Sequence, residues 1–243
     1  GLRLWTTAGT GTYEDRGTHN FTPTAVLTDA VGKAATTINA LGFVHIGSVK
    51  LPSLALIDDE IISINTVNQE TGALGVYRGL LDTVPAEHNQ GARVWFFEEN
   101  YAFDAEPMYF EAVNNIRGAT VTAKGELDIS LATTVNLTMA ARALRPYPPG
   151  RVRINTEGYP AAISGALTVA WAHRDRLQQT AYIVTQNESD IGPEDAVTYR
   201  LRIYGETGSL LRTYSDLAKT EQIYSLAQEN TDSGALGRPN EHL

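Results

Sequence analysis

The segment WAHRDRLQQTAYI, residues 171–183, contains the triplet His173-Arg174-Asp175. In the catalytic loop of protein kinases that triplet supplies an Asp that accepts the proton of the substrate hydroxyl. The chemistry has further requirements: an Asn five residues after the Asp to hold magnesium, an Asp-Phe-Gly triplet downstream, and a glycine-rich loop before the strand with the phosphate-pairing Lys. Position 180 is Thr, and the other two elements are missing from the sequence. The triplet therefore reads as the end of a buried strand, GALTVAWAHRDR, running into a charged loop with Trp171 in the core.

Other chemical groupings reduce in the same way. Asp58-Asp59-Glu60 resembles a metal-ligating or paired-carboxylate cluster. A cation site draws carboxylates from several segments, adjacent strand residues face opposite ways, and Asp favours turns, so this is a hairpin turn. Glu98-Glu99 reads as a strand end. His19, His45, His88, His173 and His242 show no metal-ligand spacing. His88 lies in the loop DTVPAEHNQGARVWF and is expected to hydrogen-bond backbone carbonyls rather than act as a general base. No Gly-x-Ser-x-Gly elbow occurs, and GTGT at residues 9–12 is too short for a phosphate loop. Asn-x-Ser/Thr triplets begin at Asn20, Asn136 and Asn187 and matter only in a secreted eukaryotic protein. Glycoside hydrolysis needs two carboxylates that can lie far apart in sequence, and nothing selects a pair among the 28 acidic residues. No catalytic residue, cofactor or metal ligand is assigned.

Composition narrows the function further. With 243 residues, 42% of them hydrophobic, the chain can bury one large core or two smaller ones. Net charge is −9, with 10 Lys/Arg against 16 Asp/Glu before Pro146 and 9 against 12 from there on. Neither part has the positive excess that phosphate contacts demand, so no nucleic-acid partner is expected. The absence of cysteine excludes disulfides and thiolate chemistry and fits synthesis in a reducing cytosol. GLRLWTTAGTG has no basic segment followed by an apolar one, so no signal peptide is read there. The longest apolar run, AAISGALTVAWA, is too short for membrane insertion, and a soluble chain is expected.

The elements that would position any site are strands. In TYRLRIYG, Tyr199, Leu201 and Ile203 share one face and Arg200 and Arg202 the other, GETG at 205–208 turns the chain, and SLLRTY returns. RVRIN repeats the pattern, with Val152 and Ile154 inward. LALIDDEIISI predicts a strand to Ile57, a two-residue Asp58-Asp59 turn and a strand from Glu60 to Ile64. NTVNQETGALGVYRG turns around residues 68–72, and a loop from Leu80 through Pro85 and His88 leads to the strand in GARVWFF. Only residues 28–42, TDAVGKAATTINALG, carry a weak helical pattern. Hairpins at this spacing predict an all-β chain: a small β-barrel-like domain over residues 1–145, with hairpins around 51–100, then a second domain over 146–243. The stiff connector RALRPYPPGRVRIN marks the junction.

Several segments together carry a resemblance. LIDDEIISI, TGALGVYRGLLDTVPAEHNQGARVWFF, RALRPYPPGRVRIN and LTVAWAHRDRLQQTAY resemble, in order, parts of the tail tip or baseplate hub structural proteins of long-tailed bacteriophages and prophages, over about residues 50–230. The second domain resembles a fibronectin type III-like β-sandwich: GALTVAW matches the strand whose Trp sits in the core, and VTYRLRIYG, LLRTYSDL and TEQIYSL match further strands. The connection from Trp171 to Val197 is longer than usual, with AYIVTQ as an extra strand. The chain ends before the last two strands of such a sandwich, so the sandwich is expected to be incomplete, either truncated or completed by a partner.

The resemblance implies a non-enzymatic structural component of the virion, made in the bacterial cytoplasm, that mediates tail assembly. Its partners would be other tail structural proteins and copies of itself in a trimer, with host contact as an added role. The alternative is a receptor- or glycan-binding module with Tyr147, Tyr159, Tyr204 and Tyr214 as surface contacts, although tyrosines also fill strand faces and interdomain surfaces. A tail-associated polysaccharide or cell-wall hydrolase is the third reading, and no motif supports it.

Overall fold

The computed structural model describes residues 1–8, 11–99, 104, 111–161, 163, 165–188, 190–205 and 207–232. Gly9, Thr10, Glu206 and His242, which belong to sequence features discussed above, lie outside the described residues. Among the described residues the fold is all-β apart from short 3-10 turns and one seven-residue helix. It divides into two compact units, Gly1–Tyr77 with Glu87–Arg145, and Arg78–Ala86 with Pro146–Leu243.

The first unit begins with β1 (Leu2–Ala8) and β2 (Glu14–His19). Six strands follow: β3 (Thr24–Leu27), β4 (Thr37–Val44), β5 (Ser53–Ile57), β6 (Glu60–Val67), β7 (Ala73–Tyr77) and β8 (Arg93–Phe96). They close into a barrel in the order β3-β4-β7-β6-β5-β8. After the barrel come β9 (Val113–Thr122), β10 (Gly125–Glu126) and β11 (Thr134–Thr138). These join β1 and β2 in a five-stranded sheet, ordered β10-β9-β1-β2 with β11 also on β9. The barrel is thus an insertion between two strands of an antiparallel sheet.

Alternation makes the barrel. Ile57, Ile62, Ile64, Leu74, Val94 and Phe96 are all essentially inaccessible to solvent. Each such side chain contributes about 1.5–3 kcal/mol through its burial. Ala25, Ala40 and Ala55 are also fully buried, and their small side chains let a six-stranded wall close around the larger ones. The β5–β6 hairpin pairs Ile57 with Glu60 across the Asp58-Asp59 turn, with Asp58 at φ 49°. A two-residue hairpin loop needs such a left-handed position, and Asp tolerates it. Asn68 holds the β6–β7 turn by accepting the N–H groups of Glu70 and Thr71, both at 3.0 Å.

Residues 28–42 do not form the helix that their pattern weakly predicts. They run through turns into β4, where Thr37 and Ile38 pair with Gly75 and Leu74 of β7. The β-branched side chains suit that extended backbone, and Ile38 is buried in the barrel.

The second unit contains β12 (Gly150–Ile154), β13 (Leu167–Ala172), β14 (Tyr199–Tyr204), β15 (Leu210–Leu217), β16 (Glu221–Tyr224) and α1 (Leu226–Asp232). β12, β13 and β16 form one sheet, and β14 with β15 form a hairpin. Trp171 of β13, 9% exposed, meets Tyr199 of β14 edge-on, with ring centroids 5.4 Å apart. Asp232 of α1 accepts both Nε (2.8 Å) and an Nη (2.7 Å) of Arg212 on β15. That pairing holds the Asp232 carboxyl below the usual carboxylate range.

AYIVTQ is not a strand. Residues 181–185 are irregular and Gln186–Glu188 form a 3-10 turn. Its backbone groups bond locally instead of in a ladder: the Val184 carbonyl accepts from Arg174 at 3.4 Å and the Thr185 N–H donates to Glu188 at 3.2 Å.

The loop after β7 also differs from expectation, because its first nine residues, Arg78–Ala86, belong to the second unit. Arg78 closes the base of this excursion by donating to the Ala86 carbonyl at 2.6 Å, and Leu80 is fully buried. Gly79 has φ +61°, and a Cβ there would lie 2.6 Å from the Pro85 ring. Gly79→Ala is therefore expected to destabilise the protein by about 1–3 kcal/mol, from left-handed strain and the clash together. Urea denaturation followed by tryptophan fluorescence would measure it, and an unchanged midpoint would refute the assigned backbone.

Candidate functional site

The His173-Arg174-Asp175 segment leaves the end of β13 and turns inward. Asp175 is only 3% exposed, and its carboxylate accepts three hydrogen bonds within its own turn. One oxygen accepts the N–H groups of Leu177 (2.8 Å) and Gln178 (3.1 Å), and the other accepts the Gln178 side-chain amide (2.7 Å). This is the geometry of a turn cap. His173 pairs through Nδ1 with the Tyr199 hydroxyl at 2.9 Å and stacks on its ring. Burial pushes the Tyr199 hydroxyl pKa up, with Asp190 adding to the shift.

Arg174 is the unusual member. Its side chain is 2% exposed, yet no ion pair holds it among the described residues. It donates to the Gly79 and Val184 carbonyls, each at 3.4 Å, and its guanidinium lies 4.9 Å from the centre of the Tyr147 ring. Burial lowers its pKa, and the charges of Tyr147 and Asp82 work in the opposite direction. Its Nε has no partner among the described residues. Arg174 lines a cavity of about 140 Å³ together with Leu81, Tyr147, Gln179, Tyr182 and Val184. Both polar atoms of the Gln179 amide are buried and unpartnered as well. Tyr182 is 62% exposed, so the cavity reaches the surface.

A second polar cluster lies in the first unit. The ring of His88 is buried between two carboxylates, with Nδ1 2.8 Å from Asp58 and Nε2 3.0 Å from Glu60. Its backbone forms a bridge with Val31. This corrects the expectation that His88 bonds backbone carbonyls through its side chain; the expected Asp58-Asp59 turn is present. Asp58 and Glu60 are two apart across a tight hairpin and reach the same ring. Glu60 is 1% exposed, so the cluster ties the segment around His88 to the barrel wall. Among the described residues, no group of three or more His, Asp or Glu side chains is arranged to hold a metal ion.

The four tyrosines singled out from the sequence have different environments. Tyr147 is half-buried beneath Arg174, and the Tyr214 hydroxyl donates to Gln228 at 3.1 Å. Tyr159, on a turn, donates to Gln186 at 3.4 Å but remains 42% exposed, and Tyr204 at the end of β14 is 48% exposed. Tyr182, next to the cavity, has the most accessible ring of these five, and sequence reasoning missed it because AYIVTQ reads as a strand.

The first unit also presents apolar surface. All five residues of β11 are exposed, including Val135 at 60% and Leu137 at 49%. Leu131 and Leu144, in the 3-10 turns before and after it, are 73% and 72% exposed. Among the described strands β11 pairs with β9 alone, so its outer edge has unpaired backbone groups. No described helix is long and apolar enough to cross a membrane.

No protein-family model matches the chain, and comparison with curated proteins finds no match.

Removing the His88 ring leaves buried carboxylate oxygen without that donor. His88→Ala is expected to cost about 2–4 kcal/mol of stability. In the same denaturation assay Asp58→Asn, at the exposed side of the ring, should cost much less. Equal costs for the two would contradict the assigned burial.

Proposed function

We propose that the chain is a non-enzymatic structural component of a bacteriophage tail tip or baseplate hub, located in the virion, with its first unit making assembly contacts. The observation that carries this reading is β11. A strand exposed on both faces, unpaired along one edge and bearing Val135 and Leu137 contributes little to its own fold. Exposed apolar edge strands aggregate unless something covers them. A neighbouring copy or another tail protein adding a strand would bury these side chains and satisfy the edge. The resemblance to threefold hubs favours a trimer of this chain.

The second unit supports the same reading. A sheet of β12, β13 and β16, a hairpin of β14 and β15, and Trp171 edge-on to Tyr199 are what part of a fibronectin type III-like sandwich would contain. Such modules decorate assemblies without an active site. Host receptor or glycan contact is the second reading, favoured by the exposed rings of Tyr159 and Tyr204.

Antibody against the chain should label the distal end of tails in negatively stained particles from its source. The absence of label on both intact and disrupted tails would overturn the reading. In solution the purified chain should sediment as an oligomer that Val135→Asp with Leu137→Asp disperses while the unfolding midpoint stays unchanged. A wild-type chain that remains monomeric at high micromolar concentration would remove β11 as a self-assembly edge.

A further inference from the structure

We propose that the groove on the outer face of the β12-β13-β16 sheet binds an acidic oligosaccharide, with Arg151 and Arg153 holding its carboxylate or sulfate and Glu221 accepting from its hydroxyls. The inference rests on the glycan-contact reading above and gives that contact a built site apart from the exposed tyrosines.

The strand register builds the groove. Arg153 stands opposite Ala170 and Ala170 opposite Glu221, so the three form a row across β12, β13 and β16. Val169 and Trp171 of β13 are buried, which leaves Thr168 and Ala170 on the outer face. Short side chains on the central strand between exposed charged ones on its neighbours make a trough of about 750 Å³, lined also by Arg151, Asn155 and Thr156. The two flanking strands are about 9.5 Å apart, which is two strand spacings. Among the described residues no ion pair joins Arg153 to Glu221 across Ala170.

Alternation alone puts charged side chains on an outer face, but it does not account for the backbone beneath them. Arg151 (φ 48°), Asn155 (φ 49°) and Thr156 (φ 77°) are all left-handed, and all three line the groove. The register shifts between Gly150 and Arg153, so that Arg151 and Val152 together stand opposite Trp171. Bulges of this kind favour glycine at the left-handed position and re-aim the side chains beside them. Arginine there costs backbone strain, and such strain collects at binding sites. Hydrogen bonds fix the groove in shape before any ligand arrives. Asn155 accepts the Thr168 N–H at 2.8 Å and donates to the Ala166 carbonyl at 3.1 Å. Arg153 donates an Nη to the Thr156 carbonyl at 2.9 Å, which steadies its guanidinium.

The chemistry of the walls selects the ligand. Two exposed guanidinium groups on one side suit an oxyanion. Glu221 on the other side repels a purely anionic ligand and needs hydrogen-bond donors, which sugar hydroxyls supply. The volume falls within the range of about 300–1,000 Å³ typical of small-molecule sites and fits about two sugar rings. Exposed charges are screened, so a disaccharide should bind with a Kd of about 1 mM.

The test is an NMR titration of the full chain, following the Thr168 and Ala170 amides. The probes are digalacturonate, a sulfated chondroitin disaccharide, maltose and a tetraglutamate peptide. At least one acidic disaccharide should shift both amides saturably, and maltose and the peptide should not. Arg153→Gln should weaken that binding about tenfold, the loss of one charge-assisted hydrogen bond. Ala170→Gln, which fills the floor of the groove, should abolish it with the urea midpoint unchanged. Arg151→Gly should weaken binding while the midpoint stays at or above that of the wild type, because glycine relieves the left-handed strain. A lower midpoint for Arg151→Gly would show that the arginine serves folding and would overturn the site. Sugar binding that ignores both Arg153→Gln and Ala170→Gln would leave glycan contact standing and overturn the groove alone. Equal binding of maltose or of the peptide would overturn the acidic-sugar assignment, and no binding of any sugar would overturn the groove and the glycan-contact reading together.

Discussion

A buried guanidinium needs acceptors, and the second unit is organised around supplying them to Arg174. The Gly79 carbonyl comes from the excursion after β7, the Val184 carbonyl from the long β13–β14 connection, and the Tyr147 ring from the proline connector. Gly79, Tyr147 and Val184 are far apart in sequence, and none of the three lies in a strand. Burying a charge without a paired carboxylate is costly, so each acceptor matters more than its 3.4 Å length suggests. The same shortage leaves Nε without a partner among the described residues.

The first unit solves a different problem. Its barrel removes strand edges by closing on itself around a cluster of buried apolar side chains. The polar His88 cluster holds the segment around His88 against the β5–β6 hairpin. The adjoining five-stranded sheet keeps its edges, and β11 is the one that carries exposed apolar side chains. Closure in one part and openness in the other is consistent with a rigid body that displays an assembly edge.

The strands were legible in the sequence wherever alternation or turn chemistry was strong. LALIDDEIISI predicts β5, its turn and the start of β6, and TYRLRIYG predicts β14, because one-sided burial imposes a two-residue period. Residues 28–42 and AYIVTQ misled for the converse reason: short apolar runs carry no unambiguous period, and tertiary contacts decided them. Neither polar cluster was legible as such. Asp58 and Glu60 share a face by their spacing, but His88 lies about thirty residues away, and only the fold brings it there. Arg174 appeared as part of a charged loop because local sequence cannot show that its acceptors come from residues 79 and 184.

The most direct test of this account is native-state hydrogen exchange, read by mass spectrometry, on full-length Arg174→Met. The side chain keeps its bulk and loses its donors. Protection should fall in peptides covering residues 78–86 and 182–186, while β5, β6 and the rest of the barrel exchange as in the wild type. If 78–86 stays protected, or if the barrel loses protection to the same extent, Arg174 is not what assembles the second unit.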